Sequence, residues 1–186
     1  MNIGITQRAF EHKGQVYDAL DREWYNFFSE HAGYKIKAIP SVKSIDLDKV
    51  AKNIDVLVIS GGNDISPRGI NEWRLIDKMR DLDKPIIGIC HGAFLMTYKD
   101  HGKVEPIKHH NGSNHIVWYK GYDRLVNSHH DLGIKRVPEG AEILCEADDG
   151  SVECWIKGKS AAIAWHPERT EDNWMPLEVE ALVAIK

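Results

Sequence analysis

The apolar and polar positions fall into two regimes along the chain. In the first ninety residues, short apolar runs alternate with segments of helical period. Residues 2–6, 34–39, 54–60 and 85–89 read as strands. DVLVI and PIIGI are apolar throughout, the pattern of strands covered on both faces. Between them, residues 18–33 (DALDREWYNFFSEHAG) carry Leu20, Trp24, Phe27, Phe28 and His31 at helical spacing, with Gly33 as a stop. Residues 71–83 carry Trp73, Ile76 and Met79 at every third position. This alternation predicts a mostly parallel sheet with helices on each side. In the second half, residues 114–119, 124–128, 141–147, 151–157 and 160–166 follow one another as strands across short turns, ADDGS being a hairpin signal. An antiparallel extension therefore joins the sheet, and residues 177–185 read as a closing helix.

A chain of 186 residues with 42% hydrophobic positions is the size of one domain, taken here as 1–186. The net charge is −4 and no Lys/Arg stripe forms, so a nucleic-acid groove is not expected, although a bound nucleotide is compatible. There is no apolar run of membrane-spanning length and no leader pattern, so the expectation is a cytoplasmic protein without a membrane contact. Three cysteines, an odd number, argue against a disulfide framework. Cys145 and Cys154 lie in apolar strands and read as core.

Cys90 differs. In KPIIGICHGAFLMTY (84–98) a buried strand ends just before it and a helix starts just after, with Gly88 and Gly92 two positions to either side. A nucleophile on such a sharp turn needs small neighbours. The helix N-terminus is expected to favour its thiolate. The competing reading is a structural cysteine in a tight junction. DVLVISGGNDISP (55–67) is a second strand ending in a glycine turn, and the Gly62 and His91 amides can form an oxyanion hole if the two strands are neighbours. In AAIAWHPER (161–169), His166 ends a strand and Glu168 follows on the same face of an extended chain, where it can orient the imidazole. Pro167 holds residue 166 extended.

These segments resemble the class I glutamine amidotransferases, and more narrowly their γ-glutamyl hydrolase branch. The resemblance rests on SGGNDISP (60–67), GICHG (88–92), VNSHH (126–130) and WHPE (165–168), with GITQR (4–8) and DALDREW (18–24) similar to small members of the branch. It implies a flavodoxin-like three-layer α/β/α sandwich. It implies Cys90 as nucleophile, His166 as base and Glu168 as orienter, with Gly62 and His91 as the oxyanion amides. Ser128 and His129 fall where relatives line the glutamyl pocket, and His115 matches a recurring histidine. Two departures stand out. Many relatives carry Gln four positions after the cysteine, where this chain has Phe94. Pro67 runs directly into Arg68, where the branch has a longer stretch, implying a short lid or a loss of residues there.

The chemistry expected is cleavage of a γ-glutamyl amide through a thioester. Within the branch, the small members resemble hydrolases of γ-glutamyl-CDP-amidate, which serve capsule phosphoramidate synthesis. Hydrolysis of γ-glutamyl amines such as γ-glutamyl-γ-aminobutyrate is one alternative, and a glutaminase subunit feeding a synthase is another. A nucleotide-linked leaving group calls for a basic, aromatic mouth, for which Arg8, Arg68, Trp73, Lys108, His109, His110 and His115 are candidates; Asn63, on the glycine turn, is a further substrate-binding candidate. The small-molecule partner leaves room for a homodimer. No cofactor is expected. Nor is a metal, because no histidine pair has helical HxxxH spacing and adjacent pairs such as His109-His110 do not turn both rings to one side of a strand.

Overall fold

A computed structural model describes residues 1–29, 33–62 and 68–184. The elements in chain order are β1 (Asn2–Thr6), β2 (Arg8–His12), β3 (Gln15–Ala19), α1 (Glu23–Ser29), β4 (Lys35–Ile39), α2 (Leu47–Asn53), β5 (Val56–Ile59), α3 (Arg68–Asp81), β6 (Ile86–Ile89) and α4 (His91–Lys99). The second half holds β7 (Lys103–Pro106), β8 (Asn111–Tyr119), β9 (Tyr122–His129), β10 (Leu132–Arg136), β11 (Glu142–Ala147), β12 (Val152–Lys157), β13 (Ser160–Ile163) and α5 (Leu177–Val183). A 3-10 turn spans Pro167–Arg169.

The central sheet runs β4-β1-β5-β6-β13-β12-β11-β8-β9. Its first five strands are parallel. The remaining four are antiparallel, with β10 and β7 attached beside β12. Helices flank this sheet, the flavodoxin-like architecture expected. Its middle is dry: Ile3, Ile5, Leu57, Ile59, Ile86, Ile89, Ala161, Ala162 and Ile163 are at most 1% exposed. Burying one such branched side chain contributes about 1.5–3 kcal/mol, which explains why these runs are apolar on both faces. Among the described residues no helix is long and apolar enough to cross a membrane.

The largest departure from the expected elements is at residues 8–29. The helix expected over 18–33 begins only at Glu23, and residues 30–32, with His31, lie outside the described residues. Residues 8–19 instead form a two-stranded hairpin separate from the main sheet. Its turn is Lys13-Gly14, both at positive φ (51° and 74°), the backbone that a tight two-residue hairpin requires. The same device, Lys120-Gly121, joins β8 to β9. Helix α2 was not anticipated; Asp46 caps it by accepting from the Lys49 amide at 3.0 Å. Strand β13 stops at Ile163, three residues before His166. The three cysteines are free, and Cys145 and Cys154 are buried core as expected.

Candidate active site

The parallel strands end at one edge. Ile5 pairs with Val58, Ile59 with Gly88, and Ile89 with Ile163. The turns that follow β5, β6 and β13 therefore carry Gly61-Gly62, Cys90 and His166 to the same place, outside the carboxyl ends of the strands where such sheets bind ligands.

Cys90 sits between β6 and α4 at φ 50°, ψ −104°, outside the usual regions for a residue with a side chain. Hydrogen bonds hold it there: its amide donates to Ile163 O at 2.8 Å, and its carbonyl accepts from the Phe94 amide at 3.1 Å. The flanking glycines are obligatory. A Cβ on Gly88 would lie 2.5 Å from the Gly92 backbone, and one on Gly92 would lie 2.3 Å from Ile59 O. The thiol is not poised as thiolate. Burial pushes it up to about 12, only partly countered by the His91 amide directed at the sulfur. The expectation of a helix-stabilised thiolate is thus corrected: desolvation outweighs the helix terminus here.

His166 is fixed from three sides. Asn127 Nδ2 donates to His166 O at 2.8 Å, and the His166 amide donates back to Asn127 Oδ1 at 3.0 Å. His166 Nδ1 donates to Glu168 Oε1 at 2.8 Å, since a carboxylate only accepts. That leaves Nε2 as the free basic nitrogen. Glu168 reaches the ring through the 3-10 turn, not along a strand as expected. A Cβ on Gly61 would lie 3.1 Å from His166 Nε2 and 3.4 Å from Cys90 Cβ, so one glycine separates the sulfur-bearing carbon from the imidazole. His129 stands 5.8 Å from the His166 ring, and burial first, then the His166 charge, lowers its proton affinity.

A cleft of about 580 Å³ opens beside Cys90, lined by Gly62, His91, Phe94, Tyr98, His129 and Asp131 among others. Arg8 is exposed on the far side of the glycine turn, in the crevice with His166, Glu168 and Arg169. Another cleft of similar volume lies at the opposite strand ends, around Lys84 and Lys159, away from every candidate catalytic group.

Several expected binding residues lie elsewhere. Arg68 is 1% exposed; its Nε donates to Glu72 Oε1 at 2.8 Å and its Nη2 to Ser60 O at 2.6 Å. It braces the turn after β5 and does not face the cleft mouth. Ser128 Oγ turns to His130 Nε2 at 3.1 Å. His115 and His110 face the buried Glu153 rather than the mouth. Trp73 packs under Lys99, 4.2 Å from its ring centroid. Lys108 and His109 are exposed, and Asn63 lies outside the described residues. Two residues that matter were not singled out. Glu72 accepts from His91 Nε2 at 2.9 Å, tying α3 to the start of α4. Burial would raise the Glu72 carboxyl, but the His91 and Arg68 contacts hold it below its ordinary value. Asn127 was visible only as part of VNSHH, with nothing in its spacing to mark the pairing across 39 positions.

A model of class I glutamine amidotransferases matches residues 17–177. The chain belongs to this family. Among its curated relatives, the γ-glutamyl-CDP-amidate hydrolase of Campylobacter jejuni is 28% identical over 183 residues, 91% of this chain and 90% of that protein. A pyridoxal 5′-phosphate synthase subunit of Methanococcus maripaludis is 32% identical over 77% of this chain and 83% of its own length. A solved glutamine amidotransferase from Thermotoga maritima superposes with a TM-score of 0.73 at 15% identity, covering 90% of this chain and 76% of that one. The amidotransferase domain is thus a family hydrolase in fold and kinship.

Proposed function

We propose that this amidotransferase-family protein is a cysteine-dependent hydrolase of γ-glutamyl amides, with γ-glutamyl-CDP-amidate as its substrate. The observation that carries the chemistry is the convergence of Cys90, His166 and Glu168 at one sheet edge, with Nε2 the unshared nitrogen of the ring. Support for the substrate comes from the Campylobacter jejuni hydrolase, whose similarity runs nearly the length of both chains.

Because the resting thiol is protonated, His166 Nε2 takes its proton as the sulfur attacks the γ-carbonyl. The Gly62 and His91 amides receive the oxyanion. The imidazolium then protonates the departing nitrogen, giving the free amidate and a γ-glutamyl thioester. Water, deprotonated by His166, releases glutamate. Glu168 supports the imidazolium and keeps the ring in its tautomer. Phe94 offers no hydrogen bond to the glutamyl group. His129 and Asp131, which share the cleft, take over its α-carboxylate and α-ammonium. The product amidate would feed phosphoramidate transfer to a capsule.

A second reading, a glutaminase that hands ammonia to a separate synthase, is favoured by the 32% identity to the pyridoxal 5′-phosphate synthase subunit. Glutamate release from glutamine, γ-glutamyl-γ-aminobutyrate and γ-glutamyl-CDP-amidate ranks the readings. The expected result is the highest kcat/KM for the nucleotide compound without a partner protein. Cys90→Ser should fold and lose at least about 10³-fold in turnover of it. Preference for glutamine that appears only with an added synthase would favour the second reading, and normal turnover by Cys90→Ser would end both.

A further inference from the structure

Beside Phe94, where His130 also lines the cleft, three histidines meet around one buried carboxylate. Glu153 on β12 is 0% exposed. His110 precedes β8, His115 lies on β8, and His130 directly follows β9. His110 Nδ1 is 3.6 Å from Glu153 Oε1, while His115 Nε2 and His130 Nε2 are 3.5 Å and 3.7 Å from Oε2. None of these distances closes to a hydrogen bond. Elsewhere in the same molecule, histidine–carboxylate contacts do close, at 2.8 Å for His166–Glu168 and 2.9 Å for His91–Glu72. Glu153 Oε2, His110 Nδ1 and both His115 nitrogens are buried without a hydrogen-bond partner among the described residues. Orphaned polar atoms of this kind cost about 1–3 kcal/mol each, so four in one cluster mark a place where a bound ion would be stabilising.

We propose that His110, His130 and Glu153, with His115 as a fourth ligand, bind a first-row divalent transition metal of the zinc class. Candidate donor atoms of His110, His130 and Glu153 all lie within 4.8 Å of one another. Metal–ligand arms of about 2.0–2.2 Å in a tetrahedron put neighbouring donors roughly 3.3–3.6 Å apart. The carboxylate-to-imidazole separations are of that size. Imidazole and carboxylate together suit zinc, whereas magnesium prefers all-oxygen ligands and keeps several waters.

The surroundings orient the ligands. His130 Nδ1 donates to Leu132 O at 2.7 Å, which fixes the tautomer and turns the Nε2 lone pair inward. His110 Nε2 faces Asp149 Oδ2 at 3.4 Å, a carboxylate behind a metal-binding histidine. The Ser128 hydroxyl, 3.1 Å from His130 Nε2, turns its proton away when a metal takes that lone pair. The adjacent pairs obey the rule that only one ring turns inward: His109 is exposed beside buried His110, and His129 faces the catalytic ring beside buried His130. The ion would staple β8, the end of β9 and β12 beside Phe94, whose ring is 5.4 Å from that of His130 in the cleft wall.

Tag-free protein would be analysed by plasma mass spectrometry, then stripped by chelator and titrated with Zn²⁺ and with Co²⁺. The expected result is one ion per chain, a Tm that rises with zinc concentration, and visible cobalt bands of tetrahedral intensity without a thiolate charge-transfer band. Cys90→Ala should bind equally well. His110→Ala and Glu153→Gln should each bind at least about tenfold more weakly. Stripped wild type that takes up neither ion stoichiometrically would overturn the site, and this result needs no variant to fold. So would loss of binding in Cys90→Ala, which would place the metal on the thiol. Binding is read without turnover, so the γ-glutamyl reading can fail while this site stands.

Discussion

At the scale of single residues, Cys90 combines a positive φ with a buried, protonated thiol. Both features come from its position between a dry strand and a helix. An isolated cysteine with a pKa near 9 becomes thiolate above that pH. Burial here holds the proton until about 12. Reaction with iodoacetamide requires the thiolate, so inactivation of the free enzyme should accelerate about tenfold per pH unit from 7 to 10. A plateau near neutrality would mean that the thiol already shares its proton with His166 at rest. The proposed triad, Cys90, His166 and Glu168, could be picked out of the sequence because a Gly-flanked cysteine after an apolar run, and His-Pro-Glu after another, are local patterns. The raised thiol was not, because desolvation depends on what packs over the sulfur.

Among the elements, the link from α3 to α4 is the one that most affects the site. Buried Arg68 and Glu72, with half-buried His91, form a hydrogen-bonded chain that holds the Gly61 turn against the first residue of α4. Removing the Glu72 carboxylate takes from buried Arg68 the acidic group that its Nε faces. Glu72→Ala should therefore lower stability by about 3–5 kcal/mol, read as a shift in the urea midpoint. A shift under roughly 1 kcal/mol would mean that Arg68 is solvated in the folded state. The element pattern was readable where both faces are buried, as in β5 and β6. It failed at residues 8–19, where the hairpin lies outside the main sheet and its faces are half wet, so neither period is enforced. It failed at α2 because seven residues with Leu47 and Ala51 inward carry too little period to detect.

For the whole molecule, the proposed function turns on whether the region around Cys90 can meet a nucleotide-linked leaving group. Arg68 was expected to face it and is instead buried in the turn. Arg8 is exposed against Gly62, where a Cβ would meet its side chain at 2.7 Å. On the proposed reading, a diphosphate leaving group attracted there would make kcat/KM fall with ionic strength. Arg8→Glu should lower kcat/KM for γ-glutamyl-CDP-amidate roughly tenfold, because it replaces an attraction with a repulsion, and leave that for glutamine within about twofold. Equal effects on both substrates would remove Arg8 from leaving-group recognition.

The sequence by itself determined the layered α/β/α class, the strands buried on both faces and the identity of the residues on the two decisive turns. These follow from local rules: period, turn chemistry and the need for glycine beside a strained residue. Only the tertiary structure decided which turns share an edge, that one glycine separates Cys90 from His166, and that Arg68 faces inward. It alone gathered His110, His115, His130 and Glu153, spread over 44 positions, around one point. Such groupings depend on strand order and side-chain burial, which are set by contacts between residues far apart in the chain and leave no spacing to read.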